Sequence, residues 1–380
     1  MLDRILLLPY YLTLKVRHSL YNKGIKKSYT AQVPTICVGN ITAGGTGKTP
    51  HTEMILRMLL DSDEWGAKNL AVLSKGYMRE SKGFQQVPVD GSALMFGDEP
   101  VQIKKNFPKV TVAVNDDRIE GCDYLCHPEK LKDQAPGPEA CWDKEFDPAD
   151  LIILDDAYQH RKLRASMNIV LVDYNRPLYK DKLIPLGTLR DLPERLYEAD
   201  IVIITKCTHA LDNWEKTAYA DAMGYRDYQT STCTATAPNG RRQLVFFTQI
   251  VYKQFRPIYD CSDSRFIYSK RLILFSGIAL DTPLENYLSD KYKIVRKFTF
   301  PDHHKYTYTD FEKVQKAVQQ NPTATLATTE KDTQRVLDFN GLPQELRERM
   351  FTIPIEVDFI DGHEREIFRR RVIGLGHAVK

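Results

Sequence analysis

The segment Pro34-Thr-Ile-Cys-Val-Gly-Asn-Ile-Thr-Ala-Gly-Gly-Thr-Gly-Lys48-Thr49 constrains this chain more than any other. The apolar run from Pro34 to Val38 reads as a buried parallel strand, and His51 to Leu60 reads as a helix. A Gly-rich turn ending in Gly47-Lys48-Thr49 joins them, which is the strand–loop–helix setting of a phosphate-binding P-loop. Glycines let backbone N–H groups turn toward phosphate oxygens at the positive end of the following helix. On this reading Thr42, Ala43, Gly44, Gly45, Thr46 and Gly47 wrap the nucleotide phosphates. Lys48 reaches the terminal phosphates and the Thr49 hydroxyl ligates Mg²⁺. The first glycine of the G-x-x-x-x-G-K-T pattern falls on Thr42, so the loop is a variant. A tight βα connection is the plain alternative, and it loses force once Lys48 and Thr49 follow the last glycine in register. Ala43 stands where partner-sensing ATPases carry a second lysine, which excludes that subtype.

A chain of 380 residues is long for one core, so two domains are expected. Hydrophobic content of 42% and charged content of 27% fit a soluble globular protein. A net charge of +3 is too mild to argue for a nucleic-acid partner. Seven cysteines without a C-x-x-C pair point to a reducing cytoplasm rather than a disulfide framework. Cys122, Cys126 and His127 cluster, but no second ligand group completes a zinc site. No run has the length of a transmembrane helix, and no small-residue cleavage site follows the first apolar segment.

Further apolar runs recur at α/β spacing: Leu70–Leu73, Val110–Val114, Leu151–Leu154, Ile169–Val172 and Ile201–Ile204. They predict a parallel sheet covered on both faces. Ser81–Met95 and Pro128–Pro148 read as loops or insertions. Leu244–Tyr252 is β-rich, and Phe351, Ile353, Ile355 and Val357 alternate, so the two stretches are expected to pair as a ribbon. Between them lies a second α/β unit: strands Arg271–Ser276, Ile294–Phe300 and Ala324–Thr328, with helices Pro283–Leu288 and Asp310–Gln320. The expected division is 1–30 (N-terminal interfacial helix), 31–240 (P-loop domain), 241–270 (linker strand), 271–345 (second domain) and 346–380 (returning strand and tail).

Leu151-Ile-Ile-Leu-Asp155-Asp156 is a hydrophobic strand ending in two acids, the setting of a Mg²⁺-side carboxylate in P-loop proteins. Adjacent acids after a strand are often only a turn or cap, but the upstream P-loop and nearby Gln159 and His160 favour metal. Gly97-Asp98-Glu99-Pro100 precedes a helix over Val101–Lys105 and, alone, reads as an N-terminal cap. Arg118, after another strand, suits a transferred phosphate and a solvated surface charge about equally. In Pro301-Asp302-His303-His304, an acid beside a histidine either orients the imidazole or binds metal with it. The same DHH triplet marks Mn²⁺ phosphoesterases, which need further Asp-rich motifs and have no P-loop. Thr205-Lys206 is half of a guanine-reading motif, and Thr208 replaces its aspartate, so GTP is not supported.

From Ile5 the chain turns into a helix on which Lys15, His18, Ser19 and Asn22 form one polar strip. Tyr10, Leu12, Leu14, Val16, Leu20 and Tyr21 form a broad apolar face. Such a helix either packs on the protein's own core or lies on an anionic leaflet. Arg17, Lys23, Lys26 and Lys27 favour the leaflet.

In order along the chain, several motifs resemble the tetraacyldisaccharide 4'-kinases of lipid A biosynthesis. They are Val38–Pro50, Ser74-Lys-Gly-Tyr77, Gly97–Pro100, Asp155-Asp-Ala-Tyr-Gln-His160, Pro185-Leu-Gly-Thr-Leu-Arg-Asp191, Phe300–His304 and Thr329-Glu-Lys-Asp332. The resemblance implies transfer of the ATP γ-phosphate to the 4'-hydroxyl of an acylated disaccharide 1-phosphate, at the cytoplasmic face of the bacterial inner membrane. It implies an α/β fold: a P-loop domain, a smaller α/β domain, a two-stranded linker and a membrane-associated N-terminal helix. It also implies roles: Lys48 and Thr49 at phosphate and Mg²⁺, Asp155 and Asp156 at the metal, Asp98 as base paired with His303. Glu99, Arg118 and Asp191 then line the site, with Gln159, His160 and Asp302 beside it. Lys75, Ala157 and Asp191 depart from the family's Arg, Gly and Glu. With Asp98 on one domain and His303 on the other, the pair is expected to meet only on cleft closure. The rival reading is a P-loop NTPase acting as a switch or metal-insertion chaperone.

Overall fold

A computed structural model describes residues 2–131, 146–208, 210–278 and 282–375. The chain opens on helix α1 (Leu2–Asn22), crosses to strand β1 (Thr35–Asn40) and enters α2 (Lys48–Leu60) directly from the Gly-rich loop. There follow β2 (Leu70–Ser74), β3 (Gln85–Gln86), α3 (Ala93–Phe96), α4 (Asp98–Asn106), β4 (Thr111–Val114) and α5 (Arg118–Cys126). Then come β5 (Leu151–Asp155), β6 (Met167–Asp173), β7 (Ile201–Thr205), α6 (Asn213–Ala222), β8 (Arg226–Gln229), β9 (Thr234–Thr236) and β10 (Arg242–Tyr252).

The strands of this first part line up as β3-β4-β2-β5-β1-β6-β7-β10-β9-β8. Pairing is parallel from β4 through to β10, so each crossover brings a helix or a long connection onto a sheet face. Alternate residues feed two cores. Cys37, Leu73, Leu154 and Val172 face one side with Leu14 of α1. Ile36, Val72, Ile153 and Leu171 face the other with Ile55 and Leu59 of α2. Both faces are dry, which is why these strands read as unbroken apolar runs.

A smaller sheet follows, built from β11 (Arg256–Pro257), β12 (Arg271–Ser276), β13 (Lys293–Thr299), β14 (Thr325–Thr329) and β15 (Met350–Ile353), in the order β11-β15-β14-β12-β13. Its helices are α7 (Thr282–Ser289), α8 (Tyr308–Gln320), α9 (Glu330–Leu337) and α10 (Gln344–Glu348). The chain returns through β16 (Ile355–Phe359), antiparallel to β10, into α11 (Gly362–Ile373). The expected ribbon therefore forms, but only beyond Pro354. Phe351 and Ile353 belong to the small sheet, paired with β14, because Pro354 interrupts the alternating run and lets the strand change sheets. Beyond β16 the described residues continue into the packed helix α11. Phe368 of α11 is fully buried against Phe246 and Phe359, and Glu364 makes a buried pair with Lys216.

Within the expected loop Ser81–Met95, β3 and the start of α3 form. Of the second expected loop, residues 132–145 lie outside the described residues. Cys122 and Cys126 are buried and His127 bonds Gln32, so they form no ligand cluster. No helix among the described residues is long and apolar enough to cross a membrane.

Helix α1 docks by the strip expected to be its polar side. His18 is buried, with Nε2 2.6 Å from Asp191, and Lys15, Ser19 and Asn22 line a cleft of about 410 Å³ shared with Glu194 and Glu198. Leu14 turns inward as well, which splits the predicted apolar face. Leu8, Leu12 and Val16 stay 50%, 48% and 58% exposed, an apolar stripe that the protein itself does not cover.

Candidate functional site

The loop after β1 is held open by contacts from its neighbours. Ala43 N–H donates to the Thr188 carbonyl at 2.6 Å, the Thr205 hydroxyl to the Thr46 carbonyl at 3.0 Å, and Asn40 Nδ2 to Thr46 Oγ1 at 2.7 Å. Lys206 reaches the Gly45 carbonyl and Asp173, so the half-motif at Thr205-Lys206 braces the loop. Gly47 precedes α2 at φ 88°, a left-handed conformation that a side chain disfavours, and α2 has neither a side-chain cap nor a first-turn acid. The backbone N–H groups of Lys48 and Thr49 are left for an anion, since Pro50 has none and the His51 N–H donates to the Gly47 carbonyl. Behind them His51 is fully buried, which lowers its pKa to about 4. The neutral ring donates from Nδ1 to the Gly47 carbonyl at 2.7 Å and accepts at Nε2 from Thr248 of β10 at 3.0 Å.

β1 and β5 are parallel neighbours with Val38 opposite Asp155, so the loop and the acid pair leave the sheet at the same edge. Asp156, at φ 50°, turns outward between cations: Lys48 Nζ at 3.6 Å and the Arg190 guanidinium, which grips both its oxygens. Burial pushes Asp156 up, but Lys48 and Arg190 prevail and hold its carboxyl below the usual range. Asp155 points inward. Burial, then the negative charges of Glu99 and Asp156, raise it to about 7. Ser74 donates to its Oδ2 at 3.3 Å, while its buried Oδ1 has no hydrogen-bond partner.

Arg118 corrects one expectation. It is 3% exposed, with its guanidinium on the backbone carbonyls of Asn115 and Asp155, so it is not a solvated surface charge. Asp191 corrects another. It faces away from the acid pair and bonds His18 of α1, while its neighbour Arg190 takes the contact with Asp156. Gln159 donates to the Asn40 carbonyl, and His160 is lowered by burial and by Arg118.

Asp98 and Glu99 lie on α4 itself, in its first turn, rather than on the loop before it. Gly97, at φ 92°, lets that turn press against Gly76, where an added Cβ would lie 3.1 Å from the Gly76 Cα. His303 comes from the loop after β13, and its Nδ1 lies 3.2 Å from Asp98 Oδ2. The pair is thus already joined across the two sheets, against the expectation that closure is needed, because α4 packs on α9 of the small sheet, whose Lys331 and Arg335 contact His303. Tyr77 of the Ser74–Tyr77 motif lies tilted against the same ring, with 5.1 Å between centroids. Lys331 of α9 reaches Asp302 at 3.2 Å, Glu99 at 3.7 Å and His303 Nε2 at 3.1 Å, and Arg335 of α9 grips Asp98. His304 instead stacks on Phe300 and bonds Asp310 at 2.9 Å, so the two histidines of the triplet part company. Among the described residues no group of three or more His, Cys, Asp or Glu could hold a metal.

Arg190, Lys331 and Arg335 are the residues that motif reading left without a role. The first two stood inside quoted motifs. Arg335 carried one signal, its position four residues after Lys331 on the same helical face.

The chain matches the family model for tetraacyldisaccharide-1-P 4'-kinase over residues 2–372. It is 34% identical to the tetraacyldisaccharide 4'-kinase of Phocaeicola vulgatus over 363 residues, 94% of this chain and 90% of that one. To the enzyme of the same name from Porphyromonas gingivalis (strain ATCC 33277) it is 34% identical over 373 residues, 96% of this chain and 94% of that one. Among solved structures it resembles LpxK from Aquifex aeolicus in complex with ATP, with a TM-score of 0.64 and 25% identity over 98% of this chain and 99% of that one.

Proposed function

From the premise that this chain belongs to the tetraacyldisaccharide-1-P 4'-kinase family, we propose how its cleft performs the transfer. The protein is an ATP-dependent kinase that phosphorylates the 4'-position of a tetraacyldisaccharide 1-phosphate, a step of lipid A biosynthesis. The P-loop from Thr42 to Thr49 receives the phosphates of ATP, with Lys48 leaving Asp156 for the terminal phosphates. Asp98 accepts the proton of the 4'-hydroxyl as its oxygen attacks the γ-phosphorus and ADP leaves. His303 fixes the carboxylate. Little covalent work is asked of the protein, since such a transfer needs positioning and charge neutralisation above all.

Thr49, Asp155 and Asp156 suit a Mg²⁺ ion, which takes oxygen ligands, often one or two carboxylates with substrate phosphates. The unpartnered buried Oδ1 of Asp155 fits a cation there. Bound Mg²⁺ would neutralise charge on the β- and γ-phosphates. Glu99 and Asp302 hold Lys331, Gln159 holds the Asn40 carbonyl, and His160 lies beside them.

The exposed stripe of Leu8, Leu12 and Val16, followed by Lys23, Lys26 and Lys27, supports a peripheral seat on the cytoplasmic leaflet of the inner membrane. A lipid acceptor keeps its acyl chains in the bilayer, because exposing each CH₂ costs about 0.8 kcal/mol.

The observation that carries the reading is the acid–imidazole contact between Asp98 and His303, next to Glu99, whose charge acts on Asp155 at the P-loop end of the sheet. Incubation with ATP, Mg²⁺ and a tetraacyldisaccharide 1-phosphate, followed by mass analysis, should show one added phosphate. The switch-or-chaperone reading is not favoured. It would return if ATP were consumed equally well without the lipid.

A further inference from the structure

Asp98 has unequal oxygens. Oδ2 receives Arg335 Nε at 3.0 Å, a second Arg335 nitrogen, and His303 Nδ1 at 3.2 Å. Among the described residues, Oδ1 receives only the Glu99 backbone N–H, at 3.1 Å. A carboxylate oxygen offers about two acceptor directions, so Oδ2 is saturated and Oδ1 retains one.

Arg335 is itself built in. Its side chain is 9% exposed, and its Nη1 donates at 3.1 Å both to the Gly277 carbonyl and to Asp332 Oδ1. Asp332 is wholly buried and further held by Tyr306 Oη at 3.0 Å, Thr329 Oγ1 at 2.7 Å and the Gly277 N–H at 3.1 Å. The planar guanidinium thus spans two carboxylates, Asp332 on its own sheet and Asp98 on the other, in a geometry that a lysine cannot copy. Lys331 completes the arrangement. Its ammonium lies 3.1 Å from His303 Nε2, while His303 Nδ1 lies 3.2 Å from Asp98 Oδ2 and 3.4 Å from Arg335 Nη2.

We propose that Arg335 is a positioning residue of the transfer: anchored by Asp332, it occupies Oδ2 of Asp98 and reserves Oδ1 for the acceptor hydroxyl. This rests on the reading of Asp98 as the proton acceptor. In the step, the 4'-hydroxyl hydrogen passes to Oδ1 while its oxygen bonds the γ-phosphorus and the bond from that phosphorus to the bridging oxygen breaks, releasing ADP. The charged and titratable groups facing Asp98 are Lys331 and Arg335 on α9, His303 on the loop after β13, and Glu99 on α4. Burial pushes Asp98 up, but His303, Lys331 and Arg335 outweigh it and hold the carboxyl well below the usual range.

The test compares Arg335→Met, Arg335→Lys and Asp98→Asn in the full chain, with ATP, Mg²⁺ and a tetraacyldisaccharide 1-phosphate in mixed micelles. Arg335→Met should lose kcat on the order of 10²-fold, as misplaced groups do, with the dissociation constant of ATP unchanged. The acid limb of its kcat/KM profile should move to higher pH, since the carboxylate has lost a cation. Arg335→Lys should restore that limb while recovering only part of kcat, because one ammonium cannot hold both carboxylates. Its melting temperature, read alongside, keeps the test open if Arg335→Met does not fold. A wild-type acid limb in a folded Arg335→Met, or full kcat in Arg335→Lys, would overturn the proposal. Retained turnover in Asp98→Asn would instead overturn the reading of Asp98 on which it rests.

Discussion

Lys48 and Thr49 stand on a loop whose supports from Asn40, Thr188, Thr205, Lys206 and Thr248 come from the large sheet and its connections. Asp98 stands only on the edge of that sheet. Three of its partners, His303, Lys331 and Arg335, come from the small sheet. The nucleotide end is thus pre-formed by one body, whereas the acceptor end exists only where two bodies touch. A lesion in the small sheet should then spare ATP binding and damage transfer, while a lesion in the loop should damage both.

The largest effect is expected from Lys48→Ala. It removes the cation meant for the terminal phosphates, and turnover should fall by on the order of 10³-fold, with ATP affinity weakened too. The melting temperature should hardly change, since Lys48 faces the cleft. Turnover near that of the unaltered protein would break the nucleotide half of the contrast.

Next come Asp98→Asn and His303→Ala, each expected to cost on the order of 10²-fold or more in kcat. If the imidazole acts through the carboxylate, the double variant loses little beyond the worse single one. Fully multiplicative losses would mean that each touches the reaction separately.

A smaller effect belongs to α1. Deleting it would strip His18 from the buried Asp191, so exchange of the exposed stripe is the cleaner probe. Leu8→Ser, Leu12→Ser and Val16→Ser together should weaken pelleting with anionic vesicles roughly tenfold or more. ATP affinity should not move. Equal pelleting by the triple variant would assign membrane contact to some other surface.

Legibility followed the same division. The P-loop was readable because its chemistry is contiguous, from Thr42 to Thr49. The acid pair was readable because an apolar strand delivers it. Asp98 and His303 were readable only through motifs, since alone Asp98 is an ordinary first-turn acid. That the two already touch was not readable, because α4 meeting α9 is a long-range packing outcome that no local pattern encodes. Arg335 hid for the same reason: it faces its own helix's Asp332 on one side and a distant segment on the other. Arg190 and Asp191 part company because adjacent residues leave a bend in opposite directions, one toward Asp156 and one toward His18.

The smallest effect tests whether α2 remains a fixed base for the loop. Glu53 on α2 is 1% exposed, held by Gln102, Asn106 and Arg57, and burial raises its pKa to about 7 from 4.5. A folded-state pKa above the unfolded one means that the folded form binds more protons, so this contribution is present below about pH 4.5 and is lost as pH rises through about 7. Glu53→Gln should therefore flatten the decline in melting temperature between about pH 5 and about pH 8, by a few degrees. An unchanged slope would mean that Glu53 stays ionised in the fold.

The central claim, a nucleotide end independent of the small sheet and an acceptor end that depends on it, is tested most directly by one pair of numbers from His303→Ala. ATP affinity by calorimetry and single-turnover transfer to a tetraacyldisaccharide 1-phosphate would be measured on the same preparation. An unchanged ATP dissociation constant, with transfer slowed on the order of 10²-fold, is the predicted result. ATP binding that weakens in step with transfer would contradict it, since the loop would then lean on the small sheet after all.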